Sequence, residues 1–337
     1  MTGKPTIFDV ARKVGVSGKT VSRVVNNDPN VSDKMREAVS AAIAELGYHQ
    51  NFAARSLRSK RSFMLGVLSP PQDFAYYHSS HARLSTACRL RGYHLVYEQV
   101  DLDAQGAVAA VRDLLDTVDF AGLVLMPGIE RDERILDLLR QHGKAWVAFG
   151  TDRSRSGGMA VRADENGAAG LAADHLWDLG HRRFCILEAP KGTLARGPAF
   201  ERRLRERGAD PALFTHFRID PTLPPMEIGR RAAIHAMDAV IRPTAMFALT
   251  DANAAGVIST LLATGVKVPE QMSVVGFDDS EIASAIFPAL TTLRQPLAEM
   301  AETAIGMLVD QHRKDGPPEA CCPIELVIRQ STARAPD

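Results

Sequence analysis

Ser17, Lys19, Thr20, Ser22 and Arg23 place three hydroxyls and two cations within seven residues. Such donors suit nucleic acid: Lys and Arg pair with guanine O6 and N7, and all five side chains can reach phosphate oxygens. A different chemistry is suggested by Gly18-Lys19-Thr20, which looks like the end of a phosphate-binding loop. That motif needs a glycine at position 13, where the chain has Lys13, and an apolar strand before it, which is absent. A nucleotide site is therefore rejected. Gly18 offers no side chain, and Lys19 beside it offers an ammonium donor. Arg23 is open between a base contact and a phosphate contact, which positions without specifying.

Two short helices must hold these residues. Thr6 caps the first, with Asp9 at the capping-box position. Ile7, Val10 and Ala11 then share one face. Gly15 permits the turn, and Val16 plugs the gap between the helices. Ser17 caps the second helix, whose apolar side is Val21, Val24 and Val25. A helix, a Gly-containing turn and a helix with a polar outer face is the pattern of a DNA-reading helix-turn-helix, although a surface helical hairpin would look similar. A third helix begins after Ser32, carries Met35, Ala38, Val39, Ala42, Ile43 and Leu46 as one stripe, and stops at Gly47. The miniature domain spans residues 1–47, with a linker at 48–61.

Charge supports this reading. Residues 1–61 hold 11 Lys or Arg against 5 Asp or Glu, a net of +6 in a chain of 337 residues whose net charge is zero. A basic head on an acidic body fits phosphate contact by the head alone.

The segments DVARKVGVS, TVSRVVN, VSDKMREAVSAAIAELGY and NFAARSLR resemble the N-terminal region of the lac repressor/purine repressor family of bacterial transcription factors. That resemblance implies a recognition helix in the major groove, with Thr6, Ser17, Gly18, Lys19, Thr20, Ser22, Arg23 and Asn26 at bases or phosphates, and with Lys19 carrying much of the base choice because Gly18 offers no side chain. It also implies a hinge helix at 51–58. Asn51 would cap it, Ala54 would allow two such helices to approach, and Leu57 would wedge into the minor groove beside Arg58. A helix this short is marginal alone, so it would form only on DNA with a partner subunit. Gln50 stands where the family often has proline, which leaves the hinge entry less constrained.

From Ser62 the texture changes. Apolar runs at 63–68, 95–97, 122–126, 146–149, 184–187, 245–249 and 273–277 alternate with helical patterns such as 104–118, 166–179, 195–207 and 252–264. Short buried strands between helices predict α/β architecture with parallel doubly wound sheets, and this many elements predict two of them. The loop at 151–158 is taken as their boundary. FAGLVLMPG, DENGAAGLAADHLWDLGHRRF, the long stretch from Phe247 to Ala283 and PALTTLRQP resemble the periplasmic-binding-protein-like effector domain of the same family. The resemblance implies three crossings between lobes, near 160, 290 and 320. The effector and dimerisation domain is then 62–337. One lobe is about 62–160 and 291–320, the other about 161–290 and 321–332.

Open parallel sheets bind ligands beyond the carboxyl ends of their strands. The loop residues there are Asp73, Phe74, Tyr76, Lys191, Arg196, Thr250, Asp251, Asn253 and Asp278. By resemblance Arg196 and Asp278 are the strongest, since a guanidinium fork and a carboxylate can hold adjacent sugar hydroxyls. A surface charge at a helix start and a strand-end cap are the plain structural roles for the same two residues. Thr250 replaces an asparagine frequent in the family, which puts its direct contact in doubt. The resemblance also implies dimerisation through the helix near 78–91.

No catalytic motif appears in the body, and His175 and His181 read as structural. Asp278 and Asp279 are adjacent, so their side chains point apart. Cys88, Cys185, Cys321 and Cys322 lack metal-ligand spacing. Neither a cofactor nor a metal is expected. Residues 1–20 lack a signal-peptide core and no apolar run reaches 18 residues, so a cytoplasmic location without membrane contact is expected. The chain stops soon after its last strand without a leucine heptad, which favours a homodimer. The leading expectation is a repressor of a near-palindromic double-stranded DNA operator, controlled by a small molecule of carbohydrate type. A ligand-binding protein acting through protein contacts is the alternative, and a sugar-processing enzyme is a third reading.

Overall fold

The computed structural model describes residues 5–25, 28, 30–48, 61–71, 75–151, 158–190, 195–310 and 319–336. It divides into two units, Met1–Phe63 and Met64–Asp337.

The first unit is three helices: α1 (Ile7–Val14), α2 (Gly18–Val25) and α3 (Asp33–Leu46). At the start of α1 the Asp9 carboxylate accepts from the Thr6 backbone N–H at 2.9 Å and from its hydroxyl at 2.7 Å. Gly15 ends the helix at φ 75°, a backbone conformation that costs other residues more. The valine-rich stripes meet as expected. Val10, Ala11, Val21, Val24, Val39 and Ala42 form the core, flanked by Ile7, Val16, Met35, Ile43 and Leu46.

The second unit begins with β1 (Met64–Ser69), α4 (Ala75–Leu90), β2 (His94–Gln99), α5 (Ala107–Thr117), β3 (Gly122–Leu125), α6 (Glu133–Gln141), β4 (Trp146–Phe149) and β5 (Met159–Ala163). It continues through α7 (Glu165–Asp178), β6 (Phe184–Glu188), α8 (Arg196–Glu206), β7 (Phe214–Arg218), α9 (Pro225–Asp238), β8 (Ala245–Phe247), α10 (Asp251–Ala263) and β9 (Ser273–Val275). It closes with α11 (Glu281–Ala285), β10 (Thr292–Arg294), α12 (Leu297–Val309), β11 (Glu319–Cys322) and β12 (Glu325–Val327). One sheet runs β11-β5-β4-β3-β1-β2, another runs β7-β6-β8-β9, and every pairing in both is parallel. β10 and β12 make an antiparallel ribbon. Strands β1, β3, β6, β8 and β9 are buried on both faces, which explains their apolar runs, while β2 and β7 at the sheet edges are partly exposed. Among the described residues no helix is long and apolar enough to cross a membrane.

The inter-sheet boundary differs from the sequence expectation. Residues 152–157 lie outside the described residues, and the strands on either side of them belong to one sheet, because β5 pairs with β4 through Val147↔Met159 and with β11 through Ala163↔Cys322. The first crossing therefore follows Ala163. Thr291 bridges Val275 and Arg294 bridges Asp278, so residues 291–294 extend the second sheet rather than the first. β5 escaped notice because its run is short and broken by Arg162.

Two glycines interlock α9 and α10. A Cβ on Gly229 would lie 2.0 Å from the Asn253 carbonyl oxygen, and one on Gly256 would lie 2.1 Å from that of Met226. Both obstacles are backbone and cannot rotate away. Gly229→Ala is expected to lower stability by about 2–3 kcal/mol, as overpacking does, despite the better helix propensity of alanine. Urea unfolding checks this, and an unchanged midpoint would show that the helices can part without loss.

Candidate functional site

In the first unit Ser17 caps α2, its hydroxyl accepting from the Thr20 N–H at 3.1 Å. The Ser17 and Thr20 hydroxyls are also 3.0 Å apart. Lys19 is exposed, and among the described residues no carboxylate pairs with it. The other cations nearby are engaged. Arg12 lies 3.4 Å from Asp9, and Lys13 reaches Glu45 at 2.5 Å. Arg23 donates through Nε to Asp28 at 2.8 Å, and the Asp28 carboxyl, held by Arg23 and then by the Asn30 N–H, falls to about 2. Arg23 is thus preset by the loop after α2, which suits a phosphate contact better than a search along base edges.

Sequence reasoning missed Phe8. It is 63% exposed, although α1 is otherwise amphipathic. Its ring carbon Cε1 lies 3.5 Å from where a Cβ on Gly18 would be, so the ring covers the bare start of α2. The signal was an aromatic residue on the polar side of the first helix. Of the remaining expected DNA contacts, Asn26, Asn51, Ala54, Leu57 and Arg58 lie outside the described residues.

In the second unit Arg196, Asp278 and Tyr76 converge, joined by Glu165. Arg196 opens α8 and is buried. Its Nε and Nη2 donate to Glu165 Oε1 at 3.1 and 2.5 Å, and Nη1 donates to the Leu249 carbonyl at 2.6 Å. The guanidinium lies 3.5 Å over the Phe277 ring, with Nη1 3.8 Å from Asp278 Oδ1. Three of five N–H groups are used, which leaves two for a ligand. Asp278 accepts from Gln295 Nε2 at 2.6 Å. Burial pushes its carboxyl up to about 7, against the pull of Arg196 and with Asp251 adding to the rise. Asp278 and Asp279 both have positive φ, 112° and 52°. Two successive non-glycine residues in that region store strain of order 1–3 kcal/mol each, and such strain gathers at ligand clamps. Asp279 points elsewhere, to Arg294 and Arg329 at 2.6 Å each.

Tyr76 extends from α4 toward this group. Burial, then the Glu165 carboxylate, raises its hydroxyl pKa. Gly150 makes room for that hydroxyl: a Cβ there would lie 2.3 Å from it. Glu165 went unremarked in the sequence because the strand before it, β5, was not recognised. The rule that loops after parallel strands line the cleft would otherwise have selected it.

Three expected ligand residues are engaged within the fold. Asp251 is buried and accepts from the Ser280 N–H and hydroxyl at 2.6 and 2.9 Å and from Thr292 Oγ1 at 2.5 Å. Thr250 caps α10 by accepting from the Asn253 N–H at 3.1 Å. Asn253 donates to the Pro225 carbonyl at 2.9 Å. These three hold the floor of the cluster together. Asp73, Phe74 and Lys191 lie outside the described residues. His175 and His181 are structural: His175 meets Thr332 at 3.0 Å, and His181 meets Thr244, Ser273 and the Ala333 carbonyl.

Residues 6–51 match the model of bacterial regulatory proteins of the lacI family, and residues 173–332 match a periplasmic binding protein-like domain. The HTH-type transcriptional repressor PurR of Erwinia tasmaniensis is 31% identical over 312 residues, covering 91% of this chain and 90% of that protein. The chain belongs to the lacI family. The ribose operon repressor of Escherichia coli is 32% identical over 316 residues, covering 90% and 92%. Among solved structures, the lac repressor dimer bound to operator and the anti-inducer ONPF superposes with a TM-score of 0.73 at 26% identity, covering 98% of this chain and all of that one. The complex of the regulator CelR with cellobiose gives 0.69 at 26% identity, covering 97% and 99%. This lacI-family chain is a DNA-binding transcriptional regulator with an effector-binding domain, and the relatives it matches are regulators rather than enzymes.

Proposed function

We propose that this chain is a homodimeric repressor whose operator affinity is set by a small carbohydrate or sugar acid held at Arg196, Asp278, Glu165 and Tyr76. The observation that carries the reading is the buried, stacked Arg196 guanidinium with two N–H groups to spare beside the Asp278 carboxylate. That pair offers donors and an acceptor at the spacing of neighbouring hydroxyls, with the Tyr76 ring close by. Ribose and cellobiose among the names of similar proteins point the same way. Each recognition helix α2 would lie in a major groove of a near-palindromic site of roughly 14 to 20 base pairs, its half-sites related by the protein two-fold. The segment 51–58 would form hinge helices, with Leu57 in the central minor groove. Effector binding between the sheets would shift the hinge between ordered and disordered forms. The coupling is reciprocal, so operator DNA changes effector affinity by the same factor.

The test is fluorescence anisotropy of the protein on a symmetric duplex from its own upstream region, with pooled sugars and sugar acids. A pool that weakens binding identifies an inducer, and one that tightens it identifies a co-repressor. Equal binding to specific and random duplex at moderate salt, with every pool, would instead favour a protein-contact role.

The elevated Asp278 carboxyl makes a pH prediction. Facing it are Arg196, Asp251, Glu165, Tyr76 and Gln295. A sugar hydroxyl donates best to the ionised carboxylate, so affinity should rise about tenfold between pH 6 and pH 8, as the ionised fraction grows through pH 7. For stability the sign is opposite. A raised carboxyl favours the fold fully only below its unfolded value of about 4, and that contribution is lost as pH rises through about 7. Asp278→Asn should flatten the binding profile. Effector titrations at three pH values check this, and a wild-type profile that is already flat would remove Asp278 from the contact.

A further inference from the structure

We infer that Glu188, Glu201 and His216 form a binding site for a divalent transition-metal ion of the zinc type on the outer edge of the second sheet. One ligand atom from each lies within 4.8 Å of the others, a nitrogen and two oxygens. Three different elements supply them: the last residue of β6, the middle of α8 and the middle of the edge strand β7. Register brings the two strand residues together. Ile186 pairs with His216, so Glu188, two residues on from Ile186, points to the same sheet face as His216. The helix α8 covers that face, since Phe200 and Phe214 both pack edge-on against Phe184. Glu201 follows Phe200 and thus hangs over the outer part of the same face.

Glu188 and Glu201 are half-buried and His216 is exposed, and hydrogen bonds hold all three in place. His216 Nδ1 lies 2.9 Å from Glu188 Oε1. Arg205 donates twice to Glu201, both times to Oε1, which fixes that side chain and leaves Oε2 available. Two carboxylates within 4.8 Å of each other repel, and a divalent cation relieves that repulsion. One imidazole and two carboxylates suit zinc, with water in the fourth position, better than calcium or magnesium, which prefer oxygen alone. An ion there would tie the end of β6 to α8 across the loop between them. The ligands are absent from the Arg196 cluster, so the site stands independently of the proposed effector reading.

The experiment is zinc titration into chelator-treated full-length protein by calorimetry, with thermal unfolding in parallel. The expected result is one zinc per chain in the micromolar range and a rise in Tm. His216→Ala and Glu188→Gln should each weaken binding at least tenfold and abolish the Tm rise, while the remote Glu270→Gln leaves both unchanged. His216 lies at a sheet edge, and His216→Asn keeps its polarity should alanine perturb β7. No stoichiometric binding by the wild type, or binding by both His216 variants as tight as the wild type's, would overturn the site and leave an adventitious ion only.

Discussion

Lys19→Glu is expected to abolish specific operator binding while leaving the fold intact. Lys19 is exposed near the start of α2, and no carboxylate among the described residues restrains it. It is therefore a cation that can enter the groove without breaking an internal pair, unlike Arg12, Lys13 and Arg23. A good base contact contributes about 1–3 kcal/mol of discrimination. Two heads on a symmetric site would double this, for a loss of roughly 30-fold to 10⁴-fold before repulsion from phosphate is added. Anisotropy on specific and random duplexes reads the effect, and urea unfolding should show no change because Lys19 is exposed. Arg23→Gln should differ in kind. It weakens binding to both duplexes alike and reduces the salt dependence, as a phosphate contact does. A Lys19→Glu protein that still prefers its operator by the wild-type ratio would refute the assignment of base choice to this residue.

Arg196→Lys is expected to eliminate the effector response and to destabilise the second unit, with operator binding in the absence of effector preserved. Lysine keeps the charge but loses the planar fork. Its ammonium cannot serve Glu165, the Leu249 carbonyl and a ligand together, nor lie flat on Phe277. Removing partners from a buried ionic group typically costs about 3–5 kcal/mol, and the retained charge should hold the loss to about 2–3 kcal/mol. Ligand affinity should fall at least 100-fold, because the two donors facing the ligand are also lost. The pair of measurements is urea unfolding and the half-maximal concentration of an active sugar pool. A variant with the wild-type half-maximal concentration would show that Arg196 holds the fold and nothing more.

Much of this protein was legible in its sequence, for local reasons. The valines and alanines of the head recur at helical spacing, and Thr6, Gly15, Ser17 and Gly47 are caps whose chemistry acts within four residues. The alternation of apolar runs with helical stretches likewise specifies parallel sheets, because a strand buried on both faces has to be continuously apolar. The strand-end rule placed Arg196 and Asp278 among many candidates, and the family resemblance singled them out. Tertiary structure decided the rest. Whether β5 closes the first sheet or opens the second depends on pairing with β4 and β11, the latter more than 150 residues away in the chain. Whether a polar residue serves a ligand or the fold depends on what else meets it. Asp251 and Asp278 look alike in sequence, yet Ser280 and Thr292 occupy the first, while the second keeps one hydrogen-bond donor and a buried arginine. The pairing of Arg23 with Asp28 was out of reach for the same reason, whereas Phe8 and Glu165 left sequence signals, an aromatic on a polar helix face and a strand end. Periodicity reports which face a side chain takes, and only packing reports which partner it finds there.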